Sequence, residues 1–118
     1  MEKRTVKATR KKSPTHTLSG GDKKRIKKLG DHWSLDAKER YLSATFTFPN
    51  YLDALMFVTR ISVHAEVHRH HPEVCLSYGK VVVTLTTHDA KAVTTKDIDL
   101  AEAIERVLST QNRTRPGQ

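Results

Sequence analysis

Four of the seven histidines, His64, His68, His70 and His71, fall within eight residues and are followed at once by Pro72. Histidine is the side chain that most readily gives and takes a proton near neutrality, with an unperturbed pKa of about 6.5, so this density points to proton transfer or to metal binding. If the segment is helical to its end, Glu66 and His70 stand four residues apart on one face, and the carboxylate can hold the imidazole in one tautomer. His71 then points about 100° away around the axis, and the proline turn can redirect it further. Two adjacent imidazoles would reach opposite sides of a small ligand. His88 directly follows an apolar run at residues 81–87, where Thr86 and Thr87 add hydroxyl and backbone groups. If that strand end meets the helix end, three imidazoles converge on one cleft.

The rival reading is a metal site. His64, His68 and His71 are spaced by four and three residues and could share one helical stripe around a divalent ion. Zinc helices of that kind usually carry a glutamate directly after the first histidine, and Ala65 stands there instead. No metal is therefore expected, and His64 and His68 read as exposed helix residues.

Taken together, Glu66, three residues, His70-His71-Pro72, five residues, Tyr78, nine residues, His88, eight residues and Asp97 resemble in order and spacing the signature of the pterin-4a-carbinolamine dehydratases. Trp33, Phe46 to Phe48, Thr59-Arg60, Thr86-Thr87-His88 and Asp97-Ile98-Asp99-Leu100-Ala101 look like the same family, and the resemblance covers roughly residues 18–110. It implies an α+β fold, a four-stranded antiparallel sheet with three helices packed on one face, assembled as a homodimer or homotetramer. It further implies dehydration of 4a-hydroxytetrahydropterin to quinonoid dihydropterin, which recycles the cofactor of aromatic amino acid hydroxylases, with no cofactor beyond the pterin substrate. The family's three catalytic histidines fall on His70, His71 and His88, and Glu66, Arg69, Thr86, Thr87 and Asp97 fall around the substrate. On this reading His70, oriented by Glu66, is one partner in proton transfer and His71 or His88 is the other. Asp97 supports the site or caps its helix. Arg69 departs from the Asp or Asn that commonly precedes the histidine pair, and Cys75 stands where an aromatic is usual. Some family members also bind a transcription factor as coactivators.

The elements that must position these residues are legible in turn. Ser19 and Asp22 form a helix start ahead of Ile26 and Leu29, and Gly30 can close that short helix. Trp33 and Leu35 suggest a brief strand. Leu42, Ala44, Phe46 and Phe48 alternate with polar residues as a half-buried strand. Asn50 and Asp53 open a long helix from residue 51 to about 70, with Leu52, Leu55, Met56, Val58, Thr59, Ile61, Val63 and Ala65 as its apolar face. Pro72 ends it. Residues 74–78 and 80–87 read as two strands around a turn at Gly79 and Lys80. Thr94 and Asp97 begin a last amphipathic helix on Ile98, Leu100, Ala101, Ile104, Val107 and Leu108, and residues beyond Thr110 should fray.

Composition bounds the rest. The 118 residues suit one domain, here 18–112, preceded by a basic arm at 1–17 too poor in apolar side chains to order itself. Residues 1–30 hold eleven Lys and Arg against two acids, leaving ten and eleven for the remainder, so the net charge of +8 belongs to those first thirty residues, the arm and the first helix together. The arm reads as a solubilising tail, with attraction to nucleic acid as its functional alternative. A single cysteine, Cys75, permits no intrachain disulfide. No apolar run has the roughly 20 residues of a membrane span. A cytoplasmic protein is expected, with nuclear or organellar placement left open.

Overall fold

Each helix begins where a short polar side chain takes up backbone N–H groups that the first turn leaves unpaired. In the computed structural model, which describes residues 18–114, Ser19 opens α1 (Gly20–Leu29). Its hydroxyl accepts from the Asp22 amide at 3.0 Å, and the Asp22 carboxylate accepts in return from the Ser19 amide at 3.0 Å. Asn50 opens α2 (Tyr51–His68), accepting from the Asp53 amide at 2.8 Å. Thr94 opens α3 (Thr95–Thr114), which continues past Thr110, where fraying was expected. The expected basic arm, residues 1–17, lies outside the described residues.

Four strands, β1 (Trp33–Leu35), β2 (Leu42–Thr47), β3 (Glu73–Ser77) and β4 (Lys80–Leu85), form one antiparallel sheet in the order β1-β2-β4-β3. The period-two alternation does the sorting. Leu42, Ala44 and Phe46 of β2 lie opposite Leu85, Val83 and Val81 of β4, and all six are buried. The three helices cover this face, with Ile26 and Leu29 of α1, Phe57 and Ile61 of α2, and Ile98 and Ile104 of α3 joining one core. The expected α+β architecture is therefore present. Arg25 ties α1 to α3 by donating to Glu102 at 2.7 and 3.0 Å and to Asp99 at 2.7 Å.

The apolar face expected for α2 needs correction. Of its members only Ile61 and Ala65 are buried and Val58 half-buried, joined by Ala54 and Phe57, whereas Leu52, Leu55, Met56 and Val63 are exposed. The helix is apolar on more than one side, and the core takes one stripe at intervals of three and four. Small Ala54 and Ala65 let that side approach closely while Phe57 fills the gap, packing its ring against Phe46 at 4.9 Å and Phe48 at 5.1 Å. A second apolar stripe, Leu52, Met56, Val63 and Val67, is left facing outward.

Tyr78 and Gly79 make the turn between β3 and β4, one residue earlier than expected, because Lys80 already pairs with Thr47 and Ser77. Gly79 is left-handed, with φ 67°, and a Cβ there would lie 2.9 Å from the Phe48 carbonyl oxygen. Its own carbonyl accepts from the Phe48 amide at 2.8 Å, so the turn cannot simply move aside. Gly79→Ala should therefore lower unfolding free energy by about 2 kcal/mol in urea titration, from left-handed strain and the clash together.

In the loop before β2, the Asp36 carboxylate accepts from the amides of Arg40 at 2.5 Å and Tyr41 at 2.9 Å. These bonds, that from Tyr41 foremost, hold its carboxyl below the ordinary value of 3.8. A depressed folded-state value stabilises the fold above the unfolded value and loses that effect as pH falls through the folded one. Asp36→Asn should thus be less stable than wild type at neutral pH, with the gap closing progressively below about pH 3.8 in acid titrations followed by circular dichroism.

Candidate active site

The last turn of α2 decides where the histidines go. The helix stops at His68, and Arg69 adopts a left-handed conformation with φ 52° and ψ 41°. Its amide donates to the Ala65 and Glu66 carbonyls, and the His70 amide donates back to Ala65 at 3.0 Å, a closure that uses carbonyls the helix end would leave unpaired. A side chain in this conformation costs roughly 1–2 kcal/mol, which glycine would avoid. The reversal takes His70 off the helical path, so the expected pairing of Glu66 with His70 does not form.

His70 instead meets Asp97. Its Nε2 hydrogen-bonds Asp97 Oδ1, and the ring is 11% exposed while the Asp97 side chain has no exposed surface. The other oxygen, Oδ2, accepts from the Thr87 hydroxyl at 2.7 Å and the Thr94 amide at 2.9 Å. Thr94 and Thr87 hydroxyls are themselves 2.6 Å apart. One buried carboxylate thus caps α3 with one oxygen and orients a histidine with the other. A carboxylate only accepts, so His70 carries its proton on Nε2 and a neutral ring keeps Nδ1 as acceptor.

Glu66 serves the neighbouring histidine. Its Oε2 lies 2.6 Å from His71 Nε2, and both side chains are well exposed, His71 at 63%. His68 bonds the His64 carbonyl through Nδ1 at 2.9 Å. The stripe needed for a metal is broken because His71 is no longer helical. Among the described residues no three His, Cys, Asp or Glu side chains are grouped to hold an ion.

His88 is exposed on the turn that follows β4, one residue after Thr87. Thr87 is therefore the link between the two histidine segments: its hydroxyl touches the carboxylate that holds His70, and its peptide bond leads to His88. The Thr87 amide donates to Ala92 at 3.0 Å and the Lys91 amide to His88 at 3.1 Å, which close the turn. Beside it a recess of about 300 Å³ is lined by Arg40, Tyr41, Thr86, His88 and Lys91. A second, of about 320 Å³, lies against Thr87, Asp89, Ala90, Thr94, Thr95 and Lys96. His70 and His71 line neither, and Arg69 is exposed with no bond from its guanidinium to the other site residues.

Sequence reasoning missed Thr94 as a member of the network, although its place three residues before Asp97 marked it as a helix start. It missed Arg40, Tyr41 and Lys91 because they lie in loops, or at a strand's edge, where no periodicity reports on neighbours.

Comparison with known proteins bears on the family and the fold. The family model described as Pterin 4 alpha carbinolamine dehydratase matches residues 20–107. A Rhizorhabdus wittichii protein named "Putative pterin-4-alpha-carbinolamine dehydratase" is 42% identical over 73 residues, 62% of this chain and 75% of that one. A Sulfurisphaera tokodaii protein of the same name is 40% identical, covering 65% and 81% of the two chains. Among solved structures, a transcriptional coactivator/pterin dehydratase from Brucella melitensis superposes with a TM-score of 0.67 at 28% identity, over 76% of this chain and 96% of that one. A pterin dehydratase-like protein identified as a RuBisCO assembly factor shares the fold, with a TM-score of 0.57 at 18% identity over 67% and 92% of the two chains.

Removing the shared carboxylate should be felt in both segments. Asp97→Ala strands buried donors from His70, Thr87 and Thr94 and should cost about 3 kcal/mol in urea unfolding. In Asp97→Asn the shape is kept but the obligate acceptor is lost, so nitrogen NMR should show the His70 ring leave a single Nε2–H tautomer for a mixture.

Proposed function

The chain belongs to the pterin-4a-carbinolamine dehydratase family, and from that premise we propose that it converts 4a-hydroxytetrahydropterin to quinonoid dihydropterin and water by histidine acid/base catalysis. The observation that carries the proposal is the buried Asp97 carboxylate. It binds His70 directly and Thr87, the residue before His88, through a hydroxyl, so the end of α2 and the turn after β4 are held as one unit.

In the reaction the C4a–O bond breaks as a proton reaches the departing hydroxyl, and the C4a=N5 double bond forms as N5 gives up its proton. The atoms balance as one pterin in, one dihydropterin and one water out. An acid and a base are needed, and neither a redox step nor a group transfer is involved. His70, with Nε2 engaged, offers Nδ1 alone and is assigned the base. His71, supported by Glu66, or His88 at the rim of the recess gives the proton to the hydroxyl. Thr86 stands beside His88 with its hydroxyl donated to the Arg40 carbonyl at 2.7 Å, and so acts in positioning. Arg69 contributes the left-handed turn that presents the pair. Recycling of a hydroxylase cofactor is the physiological setting that this chemistry fits.

The outward stripe of α2, Leu52, Met56, Val63 and Val67, supports self-association. A second copy is the occupant proposed, since one patch repeated across a two-fold axis covers itself. Among the described residues no helix is long and apolar enough to cross a membrane.

The assay generates the carbinolamine with a pterin-dependent hydroxylase and follows quinonoid dihydropterin by absorbance. Wild-type protein should accelerate its appearance, and His88→Ala and the His70→Ala, His71→Ala double variant should each lose about 100-fold or more. An undiminished rate in the double variant would remove the histidine assignment, and no acceleration by the wild type would remove the dehydratase. Separately, Met56→Glu with Val63→Glu should lower the mass measured by light scattering after gel filtration.

A further inference from the structure

The recess beside His88 has a charge character that dehydration does not require. Arg40 and Lys91 bring two permanent cations to its lining, His88 a protonatable ring, and Thr86 and Tyr41 complete it without an acid. The Arg40 guanidinium lies over the Tyr41 ring, 5.8 Å from its centre, which leaves its edge available to a planar or tetrahedral anion. Asp36 offsets part of this charge, its carboxylate lying 3.6 Å from Arg40 Nε, while among the described residues Lys91 has no acidic partner. Asp89, next to His88 in the chain, lines the other recess.

Backbone strain falls on one residue of this lining and next to another. Among the described residues three non-glycines have positive φ: Glu39 at 58°, Arg69 at 52° and Lys91 at 53°. One precedes Arg40, one precedes His70, and the third is Lys91 itself. The Lys91 backbone is thus fixed by the turn while its side chain is exposed beside the recess, and strain of this kind collects at functional sites. At about 300 Å³ the recess is at the small end of ligand pockets, suited to a substituent rather than to a whole substituted pterin.

We infer that this recess receives an anionic group, phosphate ester or carboxylate, carried on the side chain of the pterin, so that the preferred substrates are anionic-tail pterins rather than neutral polyol ones. The inference rests on the pterin reading above. With the reacting carbon near His88, the side chain runs between Arg40 and Lys91, and the anion replaces water on both cations.

Calorimetric titration at low salt tests it with three probes: 7,8-dihydroneopterin, its monophosphate ester and inorganic phosphate. The phosphate ester should bind about tenfold or more tighter than the neutral pterin, and the ratio should fall towards one in high salt and in the Arg40→Gln, Lys91→Gln double variant. Arg40→Lys, which keeps the charge, should keep part of the preference. Equal affinity of the two pterins in wild type, or a preference that survives the double variant, would overturn the inference and leave the dehydratase standing. Inorganic phosphate binding as tightly as the ester would overturn it too, by showing an anion site unconnected to the pterin. If neither pterin binds, the dehydratase reading itself falls and takes this inference with it.

Discussion

A carboxylate with no exposed surface is tolerable only when its lone pairs are used, because the uncompensated burial of a charge costs several kcal/mol. Asp97 meets that condition by drawing in three segments far apart in the chain: the end of α2 through His70, the end of β4 through Thr87, and the start of α3 through Thr94. The helix cap that starts α3 and the hydrogen bond that orients His70 are two halves of one side chain, so the candidate site takes its geometry from the fold rather than from loops laid over it. A change that loosens the cap also releases the histidine.

Much of this was legible in order of how local the cause is. Ser19, Asn50 and Thr94 announced the helix starts because capping joins residues three apart. The alternation of Leu42, Ala44 and Phe46 announced β2 and its buried face. The spacing from Glu66 to Asp97 pointed to the side chains of the candidate site. What could not be read was the choice of partner. Glu66 is set for His70 on an unbroken helix, and a single left-handed residue, Arg69, hands it His71 instead. Nothing in an arginine's identity signals that conformation. In the same way α2 carries apolar residues on two sides, and only the position of the sheet decides that Phe57 and Ile61 go inward while Met56 and Val63 stay out.

The strained residues show how stability and site geometry compete. Glycine at 69 or 91 would relieve left-handed strain at each position, yet side chains are present there and at 39. The surroundings compensate with local bonds: the Glu39 carbonyl accepts from Val93 at 2.9 Å, its carboxylate meets Lys23 at 3.0 Å, and the Arg69 amide is satisfied within the helix end. The Lys23 ammonium, hydrogen-bonded to Glu39, also holds that carboxyl below its ordinary range. The bonds at Glu39 come from α1 and the loop before α3, whereas the strain at Arg69 sits directly before His70.

The three imidazoles are not equivalent, and the difference suits the proposed reaction. His70 is nearly enclosed and tied to a fully buried charge, so its ring has one orientation and one tautomer. His71 is held by an exposed pair with Glu66, an interaction worth only about 0.2–1 kcal/mol in water, and His88 stands free on a turn. Proton removal from a ring nitrogen asks for a base fixed relative to the substrate plane, because misplacement of about 1 Å is expensive in rate. Proton delivery to a hydroxyl that is leaving asks for the reverse, an acid able to follow the oxygen as the bond lengthens. In the proposed reaction a rigid imidazole anchored in the core and compliant ones at the surface would divide those demands between them. That division arises directly from which carboxylate each histidine meets, one sealed by the sheet and helices and the other left in solvent.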